Sequence, residues 1–320
     1  MLKITIILLM MTLVLSAITC NRQKSFNLKV LIVNDQSFPN ITEQEYNNVF
    51  LNIPKAVKKF FNIEVSFQSI EKISLSEFLN KYGYRRQDDI RKIDLFTGNS
   101  QQIYRTQLLS MCKKDKKSIT DFLTLKGEED CETLVNYIIE DYSKKLDTIK
   151  STTINKTPIV SKDSPQNSYT FMENTIKEIS EYDLILINFI MMDDSLNEIF
   201  PPAIHTLIRG GVTIGAALKS RATYKGTVVL SILPFIADIS PFNVIEKSQI
   251  SYRNDIVAHY ITHEFGHLLM YYPDDYANPK CLMQPARGFD FFNWYLQVKN
   301  GHCEKPSKKV IKYIKRYYQS

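Results

Sequence analysis

Beyond its first twenty residues the chain contains no long apolar run, so no membrane-spanning helix is expected in the mature protein. No interleaving of basic and aromatic residues argues for nucleic acid, and the formal charge of +6 is mild, so nucleic acid is not an expected partner. The lysine-rich stretches CKKDKKS (112–118) and KKVIKYIKRYY (308–318) read as solvated surface and a basic amphipathic helix. Histidine is sparse, with five residues, yet three of them fall within the nine residues 259–267. Cysteine is equally sparse, with five. What remains is ordinary for a globular protein: 320 residues, 44% apolar and 23% charged, enough for one large domain or two modest ones.

The start is informative. MLK precedes the apolar run ITIILLMMTLVLSAIT and then Cys20. A short positive start, a hydrophobic segment and small residues near its end describe an export signal, too short for a membrane span. Cys20 stands where a bacterial lipoprotein signal places its lipidated cysteine, although Thr19 replaces the usual glycine or alanine. Two outcomes are open: a cell-envelope lipoprotein anchored through Cys20, or a secreted form cleaved nearby. The other four cysteines are even in number, as disulfides in an exported protein require. Of the three possible pairings, the short-range one, Cys112–Cys131 with Cys281–Cys303, is expected.

LKVLIVND (28–35) reads as a strand. Thr42 and Glu45 form a capping box ahead of the helical pattern EYNNVFLNIPKAVKKFF, with Pro54 as a kink or break. NIEVSFQSI alternates as a second strand. Residues 84–165 are polar and lysine-rich, hold Cys112 and Cys131, end in a loop, and read as an insertion. A helix over SYTFMENTIKEISEY leads to the apolar strand DLILINFIMM. GGVTIGAALKSRATYKG has strand character interrupted by glycine, TVVLSILPF is a further strand, and residues 247–272 form a long helix ending at Pro273. The order implies an α/β sheet with that last helix packed on it.

The helix carries HEFGH (263–267). Residues four apart share a helix face, so His263 and His267 can reach one ion. Glu264 is turned about 100° from His263, beside the ion without binding it, where a carboxylate can take a proton from water. Neutral imidazoles favour zinc. The apolar flanks Ile261, Phe265, Leu268 and Leu269 mark a packed helix, where unrelated polar residues are costly. His259 reads as a packing residue or one that supports the ligands from behind, because His259 to His267 spans about 12 Å of helix rise, too far for one ion.

HEFGHLL and the later CLM resemble the metzincin metallopeptidases, which share a longer histidine motif and a methionine turn beneath the metal. The stretch PDDY…CLM is most similar to the snapalysin and archaemetzincin types. The resemblance implies a twisted mixed sheet, an active-site helix, and a small C-terminal subdomain (276–320) with Met283 as the hydrophobic floor. Residues 21–275 would then be the N-terminal subdomain, with 84–165 inserted in it. The chain departs from the family pattern at Met270, where glycine is usual, and at Pro273, where the third ligand falls by strict count. A one-residue insertion aligns Asp274 as third zinc ligand, with Asp275 in reserve. The implied activity is an exported zinc peptidase. Its peptide or protein substrate would lie extended along GGVTIGAALKSRATYKG, with Glu264 as general base. Two alternatives stand beside it. One is a zinc hydrolase using a distant carboxylate such as Glu304. The other is a surface lipoprotein that binds a partner on the same scaffold with little or no catalysis.

Overall fold

A computed structural model describes residues 25–83, 99–125, 130–161, 167–179, 181–193, 203–219, 226–242 and 247–304. The export segment, Cys20 and the C-terminal basic helix lie outside the described residues.

The protein is a mixed α/β structure. Strands β1 (Ser25–Asn34) and β2 (Glu64–Ser74) are joined by helix α1 (Glu43–Phe61). Helices α2 (Asn99–Leu123), α3 (Cys131–Ser151) and α4 (Tyr169–Ile179) follow. Strand β3 (Leu184–Ile187) returns to the sheet, and β4 (Gly215–Lys219) and β5 (Gly226–Ser231) form a hairpin. Between β3 and β4 lies a single helical turn, α5 (Ile204–Leu207). Helix α6 (Arg253–Met270) carries the histidines and α7 (Phe291–Val298) closes the described chain. The five strands lie in the order β2–β1–β3–β5–β4. Four are parallel, and β4 at the edge runs antiparallel to β5. The central strands are covered on both faces: Val30 to Val33, Leu186, Ile187 and Val228 to Leu230 are fully buried. Their unbroken apolar runs are what such burial demands.

Helix α1 begins at the Thr42–Glu45 capping box and ends with Asn62 in the left-handed conformation. Pro54 neither breaks nor ends it. The missing N–H is tolerated because Val49, Ile53 and Val57 are buried on one face, and each such side chain contributes about 1.5–3 kcal/mol on burial. Helix α1 packs against α6, and α6 also lies over β4 and β5. The motif helix therefore sits beside the edge of the sheet.

Among the described residues, the segment read as an insertion holds a pair of helices. α2 is interrupted at Asp115, where the backbone is not helical. Cys112–Cys131 ties α2 to the start of α3, and Cys281–Cys303 closes the segment after α6. The apolar faces of α2 and α3, including Leu108, Phe122, Leu134, Ile138 and Leu146, join the same core as the sheet. After α3 the chain forms a tight hairpin, 153–154 with 157–158, rather than an open loop; Asn155 and Lys156 supply the two positive φ angles that such a turn requires.

Candidate metal centre

Helix α6 is apolar on most sides. Ile256, Val257, Ala258, Ile261 and Phe265 are buried, and His263 and Glu264 are buried with them. Polar groups held in such a core need partners. His263 Nδ1 lies 2.8 Å from the carbonyl of Leu282, and His267 Nδ1 lies 2.6 Å from that of Tyr272. A carbonyl only accepts, so each Nδ1 carries a hydrogen and donates it. In the neutral ring each Nε2 is the electron-pair donor, and the two face one another 3.1 Å apart.

The helix ends at Met270, three residues before Pro273. Tyr271 makes the turn with φ 56°, and its N–H and that of Tyr272 reach back to the carbonyl of Gly266. The left-handed residue that a glycine ordinarily supplies is thus a tyrosine, one position later. The displaced turn delivers Asp274 to the imidazoles: its Oδ1 lies 3.6 Å from His263 Nε2 and 3.4 Å from His267 Nε2. That oxygen is sealed from solvent and accepts no aligned hydrogen bond. Asp275 is engaged otherwise. Its carboxylate accepts from Ala277 and Asn278, and its N–H donates to the carbonyl of Met283 at 2.9 Å. Asp275 therefore pins the loop to the methionine turn while Asp274 faces inward.

Met283 is buried under the helix at Gly266, where an added Cβ would lie 2.3 Å from the methionine sulfur. Glu264 faces the first residue of the edge strand, Gly215. His259 stands apart, its ring edge-on to Phe60 and Tyr295 and its Nδ1 2.8 Å from the carbonyl of Asp255. Glu304 is exposed at the end of the described chain and is not in the cluster of His263, His267 and Asp274.

Three residues of the site, His205, Tyr276 and Arg209, carried no signal in the sequence. His205, on α5, has Nδ1 2.9 Å from the hydroxyl of Tyr276 and 3.9 Å from Asp274 Oδ2. Arg209 is fully buried and binds the carbonyls of Ala286 and Gly288 and the hydroxyl of Tyr260. His205 and Arg209 lie four residues apart on and just after α5, Tyr276 follows α6, and no local spacing links any of them to HEFGH.

The electrostatics favour a positive charge at the centre of the triangle. Burial pushes His263 down to about 4, helped by the charge of His267. Burial also opposes charging of His267, but contact with Asp274 outweighs it and raises His267 to about 9. Burial pushes Asp274 up, yet His205, His267 and His263 together hold it well below the usual carboxylate range. Glu264 is raised to about 7 by burial, with His267 and Arg209 pulling it down and Asp274 pushing it up. Among the protein's own groups, a proton on His267 serves as the cation.

No protein family matches the chain by sequence, and no curated protein matches it. Among solved structures it is similar to archaemetzincin from Methanopyrus kandleri, at 11% identity over 92% of this chain and 97% of that chain, with a TM-score of 0.37. That likeness is too distant to bear on the site.

Proposed function

We propose that this protein is an exported zinc-dependent peptidase, with His263, His267 and Asp274 as metal ligands and Glu264 as general base. One observation carries the reading. The three donor atoms form a triangle with edges of 3.1, 3.4 and 3.6 Å. Bonds of the length zinc makes to nitrogen and oxygen give a tetrahedron with edges of about 3.3–3.5 Å. Two ring nitrogens and a sealed carboxylate oxygen at this separation need a cation among them: a proton on His267 in the metal-free protein, and a zinc ion in its place in the loaded one. Two imidazoles and one carboxylate suit zinc, whose charge acidifies water and polarises a carbonyl.

Glu264 supplies the proton traffic. Raised to about 7, its carboxyl both takes a proton and returns it near neutral pH. It receives one from the attacking water and passes it to the departing amine of the cleaved peptide. Buried His263 and Met283 keep bulk water from the floor of the centre. Strand β4 pairs on one side only among the described residues, so an extended peptide can add to its free edge through main-chain hydrogen bonds. Export is supported by the two disulfides and the signal-like first twenty residues.

The test pairs metal content with hydrolysis of a peptide library by the purified protein and by Glu264→Ala. The expected result is about one zinc per chain in both and cleavage by the first alone. If both bind zinc and neither cleaves, the peptidase reading is overturned in favour of a binding protein built on the same scaffold.

A further inference from the structure

We propose that His205 is a positioning residue for Asp274, seated by Tyr276 and, through it, by the disulfide-tied helices α2 and α3. This rests on the reading of the metal centre given above. The two oxygens of Asp274 meet different surroundings. Oδ1 faces the Nε2 atoms of His263 and His267 and has no other partner. Oδ2 is turned to His205, whose Nδ1 is 3.9 Å away. A carboxylate free to rotate would present either oxygen, or both, to a cation. The ring of His205 against the outer oxygen leaves Oδ1 as the atom turned inward.

His205 is itself held. Its Nδ1 shares a 2.9 Å hydrogen bond with the hydroxyl of Tyr276. The carbonyl of Tyr276 accepts from Gln284, next to Met283. The ring of Tyr276 lies edge-on to Phe122, with centroids 4.9 Å apart. Phe122 is at the end of α2, and the adjoining Thr124 takes a hydrogen bond from Arg287 of the methionine-turn segment. From the other side, Lys145 of α3 donates to the carbonyl of Ile208, 2.7 Å away and three residues past His205. At Gly210 (φ +68°) an added Cβ would come within 2.7 Å of the backbone of Leu146. The helix pair thus holds both members of the His205–Tyr276 couple. The inserted segment thereby forms a wall behind the third ligand. Polar groups hydrogen-bonded behind a metal ligand commonly contribute 10–100-fold to metal affinity; His205, at 3.9 Å, acts by occupying the outer side of the carboxylate, at the lower end of that range.

The test uses Co²⁺ as a visible probe in the full chain, comparing the unaltered protein with His205→Ala and Tyr276→Phe. Tyr276→Phe removes one hydroxyl and keeps the ring packed on Phe122, so it decides the matter should His205→Ala fail to fold. The expected result is Co²⁺ binding at least 10-fold weaker in the variants, with altered visible bands as the carboxylate loses its single-oxygen orientation. Binding within twofold of the unaltered protein together with superimposable spectra overturns this proposal alone. If the unaltered protein takes up no Co²⁺ and no Zn²⁺, the metal-centre reading falls, and this proposal falls with it.

Discussion

A Cβ added to Gly215 would lie 2.5 Å from Oε1 of Glu264 and 2.8 Å from its carboxyl carbon. The edge strand and Glu264 are therefore packed against each other, and only glycine at position 215 leaves the carboxylate in place. Gly215→Ala is expected to displace Glu264 and lower kcat by about 100-fold, the order seen when a positioned acid–base group is lost. Zinc content should stay near one per chain, because no ligand touches Gly215. Peptide turnover and metal analysis on the same preparation check this. A variant with full turnover would show that Glu264 is not the base or that the strand moves freely.

Burial raises Glu264 from its ordinary 4.5 to about 7. The folded protein then binds a proton more tightly than the unfolded chain between these values. The stability that this proton brings is fully present below pH 4.5 and is lost as pH rises through 7. Glu264→Gln carries no such titration. In chelator-treated protein at about pH 8 the variant is expected to be more stable than the unaltered chain, by about 3 kcal/mol at most. The gap should close toward pH 4.5. Urea unfolding at several pH values measures it, and a gap that fails to grow with pH would refute the buried-carboxylate account.

His267 is raised to about 9 while His263 is lowered to about 4. At neutral pH His267 therefore holds a proton on the nitrogen that would meet zinc. Zinc uptake must expel it, so about one proton is released per ion at about pH 7, diminishing above pH 9. Binding should weaken roughly 10-fold for each unit that pH falls below 9 over this range. Titration calorimetry in buffers of different ionisation enthalpy reads the released proton directly. Zero release at neutral pH would mean that His267 is already neutral.

Cys281–Cys303 spans 22 residues and encloses the methionine turn and α7. Closing a loop of that length restricts the unfolded chain by an amount equivalent to about 3 kcal/mol. Cys281→Ser with Cys303→Ser is expected to lower Tm by several degrees and to loosen the turn that carries the carbonyl of Leu282, the partner of His263. Zinc affinity should fall together with stability. Removing Cys112–Cys131 instead should leave the carbonyl of Leu282 in place. Thermal melts with and without zinc separate the two cases.

Much of the local structure was legible in the chain. The capping box at Thr42, the apolar central strands and the four-residue spacing of His263 and His267 are short-range features, set by backbone hydrogen bonding and helical period. Pro54 misled for the same reason. Its local effect is real, but α1 is held by the buried face it lays on its neighbours. The end of α6 lay beyond local reading too. Nothing short-range marks Tyr271 as the left-handed residue, and that choice moves the helix end from Pro273 to Met270.

The sequence by itself determined the pair of imidazoles, the adjacent carboxylate and the even set of cysteines, because these depend on residue type and on spacing within one helix or one compartment. Tertiary structure decided which of two neighbouring aspartates turns inward, since Asp275 is taken by its own turn and by Met283. It also decided that Gly215 borders Glu264, that Arg209 lies buried near the centre, and that His205 and Tyr276 meet behind Asp274. Those contacts join elements far apart along the chain. Their only common cause is the packing that brings the sheet edge, the motif helix and the disulfide-tied helices together.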